Sequence, residues 1–212
     1  MTTGAIAVEK IQDSYRARVD EYVEHLGSIE AMAGEDRRVI ADWAASITGR
    51  ALDAGSGPGH WTAFLSDHGV DAEGIDLVPE FVERAAARFP HVRFRVGDLE
   101  FLPMQDGSLG AILSWYSIIH AEPGQVPLIL SEFARCLRPG GTLLLGFFEG
   151  PRIEPFDHAV VTAYFWRIDT LKHELARAGF AIVDTHARTD LGSRPHGAIL
   201  ARRKGILDDV DE

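Results

Sequence analysis

A chain of 212 residues, 46% hydrophobic and 25% charged, can bury one sizeable core and is too apolar to stay disordered. A formal net charge of −11 and a pI of about 5.2 argue against a nucleic-acid partner, because neutralising phosphates takes clustered Lys and Arg. Arg37-Arg38 and Arg202-Arg203-Lys204, the densest positive runs, read as a solvated helix face and a strand end. The lone Cys136 forms no internal disulfide, Met1 to Ala7 lacks a signal-peptide pattern, and charges interrupt every apolar stretch. A cytoplasmic protein with no membrane partner is expected.

In chain order, apolar stripes predict helices over Val8 to His25 and Asp36 to Ile47, with residues 1–35 covering the site and 36–205 forming the main domain. A strand from Ala51 then runs through Asp53 into Gly55-Ser56-Gly57-Pro58-Gly59, and a helix follows over Thr62 to His68. Glycines take positive φ and let the backbone approach a ligand closely, while N–H groups at a helix start carry partial positive charge. Such a turn suits a nucleotide, although a Gly-rich turn can also be no more than a tight connection. A second strand, Val70 to Asp76, ends on a carboxylate about 20 residues past the glycines, the offset at which a doubly wound sheet sets an acid beside a ribose. His60 stands where the dinucleotide fingerprint has its third glycine, which disfavours a nicotinamide enzyme.

Next come a helix over Pro79 to Ala87 and a strand, Val92 to Val96, that ends in Gly97-Asp98-Leu99-Glu100. A fourth strand, Leu109 to Ser114, ends in Trp115-Tyr116, and a helix over Val126 to Leu137 turns its apolar side, Cys136 included, to the sheet. Leu137-Arg138-Pro139-Gly140-Gly141 precedes a fifth strand. The connection from Glu149 to Arg167 is long and carries Phe156, His158, Tyr164, Phe165 and Trp166. It reads as a substrate wall or lid, the alternative being that its rings complete a satellite core. A helix over Asp169 to Ala178, strands over Ala181 to Ala187 and Ala198 to Arg203, and an acidic tail at 206–212 close the chain. This alternation predicts an α/β, doubly wound, mostly parallel sheet with helices on both faces and a binding crevice at its carboxyl edge.

These motifs together resemble the class I methyltransferases that use S-adenosylmethionine, over roughly residues 35–203. The resemblance implies a seven-stranded sheet whose last pair is antiparallel. It assigns cofactor contacts to Asp53, Gly55, Gly57, Gly59, Asp76, Leu77, Asp98, Leu99, Ser114 and Trp115, with Asp76 on the ribose and Gly97-Asp98-Leu99 at adenine. Tyr15 is expected to close over the cofactor from the amino-terminal region. The runs Trp115 to His120 and Thr162 to Trp166 resemble small stand-alone bacterial enzymes acting on low-molecular-weight acceptors. Pro58, between the last two glycines, departs from the usual pattern and stiffens the turn.

The implied reaction is displacement at a sulfonium methyl by an oxygen, nitrogen, sulfur or carbon nucleophile. Holding the partners in line supplies up to about 7–11 kcal/mol. His120, just past the fourth strand, is the candidate proton acceptor and Tyr116 the candidate orienting group, with His158, Tyr164 and Trp166 facing the acceptor. His196 is a weaker candidate, and Arg152, Arg188 and Arg194 suit an anionic acceptor such as a carboxylate. The nine histidines are scattered without paired ligand spacing, so no metal is expected. The alternative is a non-catalytic regulatory protein that binds S-adenosylmethionine. A monomer is the default expectation, with a homodimer as the alternative.

Overall fold

The computed structural model describes Tyr15 and residues 28–158, 161–190 and 192–205. The expected helix over Val8 to His25, Tyr15 excepted, and the acidic tail lie outside the described residues.

Seven strands form one sheet in the order β3-β2-β1-β4-β5-β9-β8. They are β1 (Ala51–Ala54), β2 (Ala72–Asp76), β3 (Arg93–Val96), β4 (Leu109–Trp115), β5 (Leu137–Phe148), β8 (Phe180–Arg188) and β9 (His196–Arg203). Every residue of β1 and β2 is buried, as expected of parallel strands covered on both faces. The chain builds outward from β1 to β3, then returns to set β4 against the free edge of β1. That reversal is the point where an open α/β sheet leaves a crevice at the carboxyl ends of its strands. Only β9 runs against the others, antiparallel to both β5 and β8.

Side chains alternate across the sheet with period two. Ala111 and Leu113 meet Ile40 and Trp43 of α1 (Gly34–Ala44) and Trp61 and Leu65 of α2 (His60–Asp67). Ile112, Leu143 and Leu145 face the other way. There they pack against Ile129, Leu130 and Phe133 of α4 (Val126–Cys136) and Leu171 and Leu175 of α5 (Ile168–Arg177). Cys136 is fully buried in this second layer. Between β2 and β3, α3 (Pro79–Arg88) starts with proline in its first turn, where a missing N–H costs nothing.

The connection after β5 has structure that its sequence does not announce. It pairs β6 (Glu154–Phe156) with β7 (Ala163–Phe165) in an antiparallel ribbon. Trp166 then donates its backbone N–H to the Phe148 carbonyl at 2.8 Å. Its side chain is 1% exposed and belongs to the main core. Among the described residues no helix is long and apolar enough to cross a membrane.

Candidate active site

The crevice at the ends of β1 and β4 is an open cleft of about 960 Å³. Gly55 and Gly57 line it with Asp76, Leu77, Asp98, Leu99, Trp115 and His120. The turn after β1 is held in shape by backbone hydrogen bonds from Gly55 and Ser56 to the Ile75 carbonyl, at 2.8 and 2.9 Å. Gly55 has φ 86°, and a Cβ there would lie 2.2 Å from the Ser117 Cβ, so the turn abuts the segment after β4 with no room for a side chain. Gly57, at φ 51°, would place a Cβ with nothing within 4 Å. Its backbone therefore faces open space, as a ligand cradle requires.

Asp76 fixes this cradle. Its Oδ2 accepts the Gly57 N–H at 2.7 Å and its Oδ1 the Val78 N–H at 2.8 Å. Each oxygen keeps a lone pair for a further donor in the cleft. Burial pushes the Asp76 carboxyl up to about 6, against the pull of those backbone N–H groups. Past β3, Asp98 accepts the Glu100 N–H at 2.9 Å in a tight turn, and Glu100 accepts the Gln125 side-chain amide at 2.9 Å.

At the opposite end, His120 sits at the close of a short 3-10 turn (Ile118–His120). Its Nδ1 is 3.0 Å from the Thr162 carbonyl. A carbonyl can only accept, so Nδ1 carries the proton and Nε2 is an acceptor. The Tyr15 hydroxyl donates to that Nε2 at 2.7 Å. Burial pushes the His120 imidazole down to about 4, so it is neutral near pH 7 with its basic nitrogen turned to the cleft. Tyr15 packs edge-on between His120 and Phe81, with 5.5 Å between ring centroids on each side, and so roofs the cleft.

Tyr116 is a non-glycine residue at φ 56°, a strained backbone that recurs at functional sites. Its hydroxyl is hydrogen-bonded to His196 Nδ1, and burial holds its phenol well above the ordinary range. Tyr116 therefore stays protonated near neutral pH.

Four of the residues assigned to the site stand behind it. Asp53, 2% exposed, accepts the Thr62 hydroxyl at 2.6 Å, and burial pushes its carboxyl up to about 7 with Asp76 adding to the effect. Gly59 lies against Phe94 and Ala85. Ser114 is fully buried and bonded to Ser117, which is the hydroxyl that reaches the cleft. Trp166 is core. His158 and Tyr164 are partly exposed and flank the cleft without lining it. Phe81 and Gln125 line the cleft and had no sequence motif of their own, while Glu100 and Ser117 line it from within motifs that gave them no role. His60 is buried and neutral, pushed down to about 4 by burial, with no hydrogen-bond partner among the described residues. Among those residues no group of three or more His, Cys, Asp or Glu is placed to hold a metal.

A family model described as a methyltransferase domain matches residues 51–141, from β1 into β5. Over these residues the chain is similar to methyltransferase domains. The chain is 33% identical over 129 residues to a demethylmenaquinone methyltransferase of Beutenbergia cavernae, a match covering 61% of this chain and 51% of that one. The chain spans about half the length of the curated relatives it matches. Its fold is shared with the Burkholderia thailandensis 1,6-didemethyltoxoflavin-N1-methyltransferase, solved with 1,6-didemethyltoxoflavin and S-adenosylhomocysteine bound. That pair superimposes with a TM-score of 0.75 at 21% identity, over 95% of this chain and 89% of the other. The magnesium protoporphyrin IX methyltransferase of Synechocystis PCC 6803, with S-adenosylhomocysteine bound, gives a TM-score of 0.76 at 15% identity, over 93% and 100%.

Proposed function

We propose that this chain transfers a methyl group from S-adenosylmethionine to a small-molecule acceptor. The observation that carries the reading is one cleft that holds an open glycine backbone, a carboxylate with spare lone pairs and a neutral imidazole with a fixed tautomer. Gly55 and Gly57 make room for the cofactor, Asp76 accepts from ribose hydroxyls, Asp98 and Leu99 meet the base, and Tyr15 covers it. S-adenosylmethionine supplies a methyl group on a positively charged sulfur, which the acceptor's lone pair takes while the carbon–sulfur electron pair remains on sulfur. Such a donor is already activated, so the chain's own work is positioning and removal of the acceptor's proton.

His120 Nε2 is the proton acceptor, and the Thr162 carbonyl keeps its tautomer correct. Pushed down to about 4 by burial, the imidazole starts unprotonated at neutral pH. Tyr15 occupies this nitrogen and gives it up, or passes the proton along, when the acceptor arrives. The test is calorimetric titration with S-adenosylmethionine and S-adenosylhomocysteine, with NADH as control. Micromolar binding of the first two alone is expected; binding of NADH alone, or of none, overturns the reading.

A further inference from the structure

Trp115 and Tyr116 line the cleft, and they also line a second open cavity of about 640 Å³ between the start of α1, the end of β8 and the start of β9. The two side chains make a corner, their rings at 86° with centroids 5.6 Å apart. Gly146 of β5 gives the indole its place, since a Cβ there would lie 2.7 Å from the ring. Tyr116 is set in the corner by its backbone at φ 56° and by its hydrogen bond to His196. Val39 and Ala198 add apolar lining on either side.

The charged side chains on this lining are already matched. Glu35 lies 2.5 Å from Arg38, and His186 lies 3.2 Å from Asp184. Asp36 takes two guanidinium nitrogens of Arg188, and Asp190 takes the third at 2.9 Å, so that fork is not open to an anion. A charged ligand would therefore meet no unpaired counter-ion and would lose its own hydration. His196 is different. The Tyr116 hydroxyl has no second hydrogen-bond partner among the described residues, so it donates to His196 Nδ1. Burial, with the Arg188 charge adding to it, pushes the His196 imidazole down and keeps it neutral. Its proton is then on Nε2, an N–H donor with no partner among the described residues and not sealed in the core.

We infer that this cavity is a second small-molecule site, which takes an uncharged flat ring that packs into the Trp115–Tyr116 corner and accepts the Nε2–H of His196. The site adjoins the cleft through a shared wall and does not rest on the methyl-transfer reading. A flat ring supplies the apolar area that the corner offers. A lone-pair acceptor on that ring satisfies the donor that a purely apolar ligand would cover and leave unpaired.

The test is a ligand-observed NMR titration of the full chain with quinoline, a ring that is uncharged at neutral pH and carries a nitrogen lone pair. Indole is of similar size without such an acceptor, and N-methylquinolinium carries a fixed charge. Quinoline is expected to bind, and the other two to bind about tenfold more weakly. His196→Phe keeps a ring and removes the donor, so it should weaken quinoline by about tenfold and leave indole unchanged. Saturating S-adenosylhomocysteine should not displace quinoline. Absent quinoline binding overturns the inference, as does equal affinity for the charged ring or for indole, a comparison that needs no variant. Quinoline binding indifferent to His196→Phe overturns it too, and displacement by S-adenosylhomocysteine would put the ring in the cleft instead.

Discussion

On the proposed reading, Asp76 should make S-adenosylhomocysteine binding sensitive to pH, and the size of the effect follows from its surroundings. The carboxylate holds the turn through Gly57 and the entry to α3 through Val78, and only its charged form can accept from both backbone groups and from ribose hydroxyls at once. Its carboxyl is pushed up to about 6 by burial. Because the bound state requires the ionised form, affinity is complete above pH 6 and is lost as the pH falls through that value. One unit lower, at pH 5, about a tenth of the molecules carry the charge, so affinity for S-adenosylhomocysteine falls roughly tenfold, or about 1.4 kcal/mol. His120 and His60, each pushed down to about 4, stay neutral across this window and leave the profile to the acids. Asp76→Asn offers one acceptor oxygen for two N–H groups and no charge, so it should weaken binding at pH 7.5 by about tenfold or more. Calorimetry of both proteins from pH 5 to 7.5 checks this. A flat wild-type profile, or an Asn variant with wild-type affinity, refutes the role given to Asp76.

Gly55→Ala and Gly57→Ala should separate packing from ligand room. The first drives a Cβ to within 2.2 Å of the Ser117 Cβ and lowers the melting temperature sharply. The second meets nothing within 4 Å, costs stability only about 1–2 kcal/mol for its left-handed backbone, and loses S-adenosylhomocysteine binding because the methyl enters the cleft. Equal melting temperatures for the two variants would contradict this packing. Asp53, pushed up to about 7 from 3.8, holds a proton more tightly in the folded than in the unfolded chain, so its contribution to stability falls as pH rises from about 4 to 7. Asp53→Asn removes that loss, and in urea denaturation its stability relative to wild type should climb by about 1.4 kcal/mol per pH unit across the window; parallel curves would show that burial is not what governs this carboxyl. Arg188, paired with Asp36 through both guanidinium nitrogens, ties the end of β8 to the start of α1. Arg188→Ala should cost about 3 kcal/mol by leaving a largely buried carboxylate unpaired, and a chemical-denaturation midpoint unchanged from wild type would refute that. His120→Asn should keep S-adenosylhomocysteine affinity within about threefold, well under 1 kcal/mol, because the imidazole faces the acceptor side; a large loss of affinity would move His120 to the cofactor.

Much of the glycine-and-carboxylate half of the cleft was legible from local sequence. Each of its parts is a short-range device: a glycine turn closing a strand, a carboxylate ending the next, an Asp-Leu after the third. The strand-then-motif order and a topology rule for parallel sheets bring those ends to one edge, and Gly55, Gly57, Asp76, Asp98 and Leu99 do line it. Sequence position could not say which residues of a motif point inward. Asp53, Gly59 and Ser114 lie within one or two residues of lining groups, yet a strand alternates its faces and a helix start rotates away, so they support the turn from behind. Trp166 read as a substrate contact because it is aromatic in a long connection, but its strand partner Glu149 and the Phe148 carbonyl draw it into the core.

The sequence by itself determined the alternation of strands and helices, the layered core and the glycine–carboxylate pair, since these depend on hydrophobic periodicity and on residues a few positions apart. Only the tertiary structure decided that Tyr15 and Thr162, 105 and 42 residues from His120, fix its tautomer. Likewise only the fold brings His196 to Tyr116 and Arg194 to the rings of Phe148 and Phe156. Those contacts join segments far apart in the chain, and no periodicity encodes a meeting that depends on how the sheet edge, the β6–β7 ribbon and the loop before β9 converge in space.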